Sequence, residues 1–216
     1  MGGGTGLPVV LRGLRRAMFP LHDGPVGQGD RELLTGIVTV ADDGGSSGRL
    51  RLWPEGARAL PAACEAIRRA NLIVLGPGSL FTSLIPVLLV GEVTAAVAAS
   101  RAAVVLVLNL MTEPGETDGY GAFSFIAALR RHAPQVTVHY LLHNTAPIRA
   151  ARRRLYADEG AAPIPVDETS VRAFGCDAIG RDLLAAGPLA RHDPDTLARA
   201  IVELAGGGPP PRKVPA

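Results

Sequence analysis

The stretch NLIVLGPGSLFTSLIPVLLVGEVTAAVAASRAAVVLVLNL, residues 71–110, decides the fold. It opens and closes on short apolar runs rich in β-branched residues, Asn71–Leu75 and Val104–Leu108, with a helix-period segment over Val93–Ser100 between them. Neither run alternates apolar with polar residues, the pattern of strands buried on both faces. Strand, helix, strand in that order predicts a parallel sheet with covering helices. The same alternation extends outward on both sides. GIVTVA at Gly36–Ala41 and VTVHYLL at Val136–Leu142 read as further strands, and Leu7–Met18, Ala57–Ala70 and Ala122–His132 as further helices. The predicted fold is therefore α/β, a doubly wound, mainly parallel sheet with helices on both faces. Past Leu142 the pieces shorten: an Arg-rich helix near 148–155, turns over Pro163–Asp167, and a helix from Asp193 to Leu204 with Asp193 as its N-cap. Phe19–Leu33 reads as a surface loop.

Composition narrows the function. The 216 residues are 47% hydrophobic and 19% charged with a net charge of +2, which suits a packed globular core and leaves little excess to neutralise a nucleic-acid backbone. Lys213 is the only lysine, so a Walker-type phosphate lysine and lysine Schiff-base chemistry are excluded. Cys64 and Cys176 stand far apart without a Cys-x-x-Cys pair and read as buried thiols of a reducing cytosol. The longest apolar stretch, 84–111, is interrupted by Pro86, Gly91, Glu92 and Arg101, so no membrane span is expected. The expected location is cytoplasmic.

In a parallel sheet the strand ends share one edge, and ligands bind beyond it. Each placed strand runs into a Gly-rich or polar turn, so these turns line one expected mouth. Gly3, Gly4, Thr5 and Gly6 precede a helix and resemble a phosphate turn, with a plain tight turn as the alternative. Leu7 stands where the dinucleotide fingerprint needs glycine. In ADDGGSSGRLR, Asp42 and Asp43 can hold Mg²⁺, accept from a ribose or base, or serve as general base. Gly44, Ser46, Ser47 and Arg49 suit a phosphate, with an Asx-type N-cap and a solvated turn as the alternative. Gly76, Gly78 and Ser79 form a constrained turn with a helix N-cap, suited to a phosphate or to a capped helix with nothing bound. The loop NLMTEPGETDGY brings Asn109, Glu116, Thr117 and Tyr120, the last either stacking on a ring or packing in the core. His143-Asn144 follows the Val136–Leu142 strand and either lines the same mouth or is a hydrogen-bonded structural pair, and Arg191 before the last helix either grips a phosphate or is a surface arginine beside a capped helix. No catalytic residue is singled out.

Five segments in order, GGGTGL at 2–7, VTVADDGGSSGRLR at 38–51, VLGPGSLFTSLIPVLLV at 74–90, NLMTEPGETDGY at 109–120 and ARHDPDTLARAI at 190–201, resemble the bacterial gluconeogenesis factor family, called YvcK-like, which is related to the 2-phospho-L-lactate transferases (CofD). The resemblance implies a Rossmann-like fold. It also implies a nucleotide-sugar ligand, typically a UDP-sugar, and a role in cell shape and envelope synthesis on gluconeogenic carbon, with no established reaction. The related transferases move a phospholactyl group from a guanylylated donor to a deazaflavin. The expected organisation is one nucleotide-binding domain over 1–205 and a disordered tail over 206–216, with homo-oligomerisation open. Two family features are missing, the strand before GGGTG and a segment near 51–55.

Overall fold

The computed structural model describes residues 6–18, 50–52 and 56–206. Its centre is a four-stranded sheet of β1 (Leu72–Leu75), β2 (Ala103–Val107), β3 (Tyr140–Asn144) and β4 (Asp177–Arg181), in sequential order and parallel throughout. Among the described residues eight helices surround it: α1 (Gly6–Met18), α2 (Pro61–Arg69), α3 (Ile85–Leu89), α4 (Gly91–Ala99), α5 (Ala122–His132), α6 (Ala150–Ala157), α7 (Glu168–Ala173) and α8 (Pro194–Gly206). A single π-helical turn, Leu80–Leu84, leads into α3.

Every residue of β2 is buried, because β2 lies between β1 and β3 and helices cover both faces of the sheet. Ile73, Leu75, Val104, Leu106 and Leu141 face one core with Leu84, Val93, Phe125 and Leu129. Val105, Val107 and Leu142 face the other with Val10 and Leu14 of α1 and Leu197 and Ile201 of α8. Successive side chains point to opposite faces, so strands clad in helices on both sides must be apolar throughout. This is the doubly wound α/β arrangement the sequence predicts.

Several elements differ from the expectation. The expected strand Val136–Leu142 forms its ladder at Tyr140–Asn144, so His143 and Asn144 belong to β3 rather than to the turn after it. Val136 and Val138 are buried without joining the ladder. β4 and α7 lie where only short irregular pieces are expected. Gly206 ends α8 rather than starting a tail. The predicted strand Gly36–Ala41, the loop Phe19–Leu33 and the tail beyond Gly206 lie outside the described residues. Among the described residues, no single helix is long and apolar enough to cross a membrane.

Candidate functional site

The carboxyl ends of β1 and β2 are joined by one side chain. Gly76 leaves β1 with φ +79, and a Cβ there would stand 3.0 Å from the Val107 carbonyl oxygen, so a side chain meets both strain and a close backbone. Two residues on, the Gly78 N–H donates to Asn109 Oδ1 at 3.0 Å, and Asn109 Nδ2 donates back to the Gly78 carbonyl at 3.1 Å. The same Nδ2 donates to Glu113 Oε1 at 3.1 Å. Asn109 is set at this point because Leu108 still follows the sheet, its N–H donating to the Leu142 carbonyl at 3.0 Å. One amide thus clamps the Gly-Pro-Gly turn and the next loop together.

That loop closes on itself. The Glu113 N–H donates to Thr117 Oγ1 at 2.8 Å, the Glu116 and Thr117 N–H groups donate to the Glu113 carbonyl, and the Tyr120 N–H donates to the Thr117 carbonyl. Thr117 is buried, with its hydroxyl committed to this turn. Glu116 reaches across to the turn after Ser79, where the Phe81 N–H and the Thr82 hydroxyl hold its carboxyl. Burial first, and then the neighbouring Glu113 charge, push the Glu116 carboxyl above its usual range despite those donors. Its Oε2 is buried with no hydrogen-bond partner. A side-chain carboxyl therefore sits at the helix start that the sequence suggests for a phosphate. Ser79 takes the N-cap position, but its hydroxyl makes no capping bond; its carbonyl accepts from the Ser83 and Leu84 N–H groups. The Tyr120 ring is half-buried, edge-on to Phe81 and Phe125 with centroids 6.1 Å away in each case, which is the core-packing alternative.

Beyond β2 and β3 opens a cleft of about 470 Å³, lined by Asn109, His143, Asn144, Arg149, Arg153 and Ile164 among others. Asn144 organises the β3 end as Asn109 does the β2 end. Its Oδ1 accepts from the Ala146 and Leu183 N–H groups and its Nδ2 donates to the Ala146 carbonyl at 2.7 Å. His143 is 5% exposed. Its Nε2 lies 3.3 Å from Glu168 Oε1, yet neither ring nitrogen makes an aligned hydrogen bond. The far wall is tied in by Thr112, whose N–H donates to the Ala162 carbonyl at 2.7 Å while its Oγ1 accepts from the Ala162 N–H at 2.9 Å.

Arg191 is exposed and stands apart from this cleft, its carbonyl accepting from the Ala185 N–H at 2.9 Å. The next residue, His192, bonds to the backbone of Leu108, and burial lowers its imidazole to about 4. Nothing in the local sequence sets Tyr156, Arg149 or Arg153 apart as site residues. The Tyr156 hydroxyl accepts from the Ala190 N–H at 3.0 Å and so docks α6 beside Arg191. The available signal was the Arg-rich helix itself, with Arg149 and Arg153 four residues apart. Of the sequence candidates, Gly76, Gly78, Asn109, Glu116, Thr117 and Tyr120 come together at the sheet edge. Gly6 opens α1. Gly3, Gly4, Thr5, Asp42, Asp43, Gly44, Ser46, Ser47 and Arg49 lie outside the described residues. Among the described residues, no three His, Cys, Asp or Glu side chains group as a metal site.

A parallel α/β sheet with polar, Gly-rich turns at its carboxyl edge is the frame of a Rossmann-like fold. The model of the family described as 2-phospho-L-lactate transferase CofD matches residues 1–53 and 51–184, and the chain belongs to that family. Within it the similarity is to gluconeogenesis factors. A relative from Deinococcus radiodurans is 45% identical over 169 residues, covering 76% of this chain and 34% of the relative. The gluconeogenesis factor of Halalkalibacterium halodurans is 36% identical over 81% of this chain and 54% of its own length. That of Bacillus subtilis is 34% identical over 81% of this chain and 56% of its own. Two crystal structures of one Bacillus halodurans protein, 37% identical, match with a TM-score of 0.69 over 71% of this chain and 50% of theirs. The chain thus spans roughly half, or less, of the length of these relatives. The two stretches of the family match overlap at residues 51–53.

Proposed function

We propose that this chain binds a nucleotide-sugar of the UDP-sugar type at the carboxyl edge of its sheet and acts as a cytoplasmic regulatory protein of the gluconeogenesis factor type. Its role is then support of cell shape and envelope synthesis during growth on gluconeogenic carbon, exerted through one nucleotide-binding domain over residues 1–205. The observation that carries this reading is the convergence at Asn109: one side chain joins the Gly-Pro-Gly turn to the 109–120 loop and also lines the cleft. Such a hub fixes loop backbone in place before a ligand arrives, which lowers the ordering cost of binding. Membership of the family and the similarity to gluconeogenesis factors support the same reading.

The description of the matching family, a 2-phospho-L-lactate transferase, favours a second reading, phospholactyl transfer; by the resemblance given above the donor is guanylylated, the acceptor is a deazaflavin, and Asp42 or Asp43 would hold Mg²⁺. Calorimetric titration with UDP-N-acetylglucosamine, GTP and GDP, each with and without Mg²⁺, separates the two. Saturable UDP-sugar binding that weakens in Asn109→Ala is the expected result. A preference for guanine nucleotide that requires Mg²⁺ replaces the first reading by the second, and binding of neither ligand refutes both.

A further inference from the structure

We infer that the cleft beyond β2 and β3 is a phosphate site, taking a phosphomonoester or one phosphate of a diphosphate between Arg149 and Arg153, with His143 as a further donor. The inference rests on the nucleotide-sugar reading and says where that ligand's phosphate sits. Arg149 and Arg153 are four residues apart at the start of α6, and both line the cleft. Among the described residues neither guanidinium has a carboxylate within ion-pair distance. Arg149 is the N-cap of α6 and Arg153 lies one turn in, so both positive charges stand on one wall of the cleft, where a bound dianion can pair with the two of them. A guanidinium fork also matches phosphate oxygens in a way few other side chains do.

α6 itself asks for an explanation. None of its residues is buried, so apolar packing does not hold it in place. The Tyr156 hydroxyl pins it to the Ala190 N–H instead, which keeps the two arginines over the cleft. His143 supplies the independent observation. It lines the cleft, is nine-tenths and more buried, and has no hydrogen-bond partner on either nitrogen. Burial of an imidazole with neither nitrogen paired is unfavourable, and a ligand oxygen restores a partner. Its seat is specific, since a Cβ at Gly180 would stand 3.3 Å from His143 Cε1 and 2.6 Å from Thr145 Cγ2. The Glu168 carboxylate, 3.3 Å from Nε2, is the acidic group that faces the ring. The cleft, at about 470 Å³, is larger than a phosphate and falls within the range of small-ligand sites.

The test is calorimetric titration of the full chain with inorganic pyrophosphate and, separately, with UDP-N-acetylglucosamine. The variants are R149A/R153A, H143Q, and R154A as a control that removes one charge from the same helix away from the cleft. Pyrophosphate binding is expected to weaken about tenfold or more in R149A/R153A and severalfold in H143Q, with R154A within about twofold of the parent chain. Circular dichroism checks the folding of each variant, and the exposed arginines keep the test valid if H143Q does not fold. Absence of pyrophosphate binding by the parent chain, or an equal loss in R154A, overturns the inference. UDP-sugar binding that is unaffected by R149A/R153A overturns the inference and leaves the nucleotide-sugar reading standing. Pyrophosphate bound through these residues without any UDP-sugar binding does the reverse.

Discussion

Replacing Asn109 by alanine is expected to loosen the sheet edge by an amount that follows from its bonds. The amide makes three hydrogen bonds, two with the half-buried Gly78 backbone and one with Glu113. At about 1 kcal/mol net for each, Asn109→Ala costs about 2–3 kcal/mol, with the Glu113 bond the weakest contributor because its partner can turn to water. For a chain of this size that lowers the urea midpoint by roughly 1 M. Asn109→Asp discriminates between lost bonds and lost packing. The aspartate keeps the acceptor for the Gly78 N–H, loses both donors, and places a carboxylate where Nδ2 stood 3.1 Å from Glu113 Oε1. At pH 7 it is expected to be at least as unstable as the alanine variant. The two carboxylates repel only when both are charged, so its deficit against the parent chain shrinks as the pH falls toward about 4. Equilibrium urea unfolding across that range is the assay. A change under about 0.5 kcal/mol in Asn109→Ala, or an aspartate deficit that does not vary with pH, refutes the role assigned to the clamp.

Gly13→Ala is expected to destabilise by about 1–3 kcal/mol against the normal helix preference for alanine, because its Cβ would stand 1.8 Å from the Pro194 carbonyl oxygen and force α1 and α8 apart. Gly91→Ala, with nothing within 4 Å, should be neutral or stabilise by up to about 1 kcal/mol, and thermal melts of the pair check the contrast. His192 is held neutral by burial at about 4 against an ordinary 6.5, so between those values the unfolded chain binds the extra proton and stability falls as the pH falls, by up to about 3 kcal/mol. Glu116, pushed up by burial, works in the opposite direction, so the diagnostic quantity is the flatter pH profile of His192→Gln in chemical denaturation. Burial, and then the nearby Asp177 charge, push the Cys176 thiol to about 12, so alkylation at pH 8 should follow the unfolded fraction as denaturant is added. Rapid labelling of Cys176 in the native chain would contradict that burial.

β1, β2 and α5 are legible in the sequence to within a residue or two, because each is a strong periodic pattern between Gly or polar breaks. β3 is offset because Val136 and Val138 are apolar for packing, not for the ladder, and burial alone does not tell the two apart. β4, DAIGR, escapes notice because an edge strand that is half covered needs no apolar run. The same limit applies at the site. Asn109, Glu116 and Tyr120 stand out as polar or aromatic residues in a loop at a strand end, whereas Arg149 and Arg153 look like any solvated helix surface until the cleft beneath them is seen.

By itself the sequence determines that the sheet is parallel and that its Gly-Pro-Gly and 109–120 turns share one edge. Continuous apolar runs joined by helical segments leave no other common packing, and parallel strands end on the same side. Only the tertiary structure decides how those turns are used. Asn109 bonds to Gly78 across thirty-one positions, and α6 is docked by a bond from Tyr156 to Ala190 across thirty-four. Glu116, in a different loop from Phe81, takes the amide there that the local pattern offers to an anion. Contacts of this kind depend on where the core places each strand end, which local residue patterns do not encode.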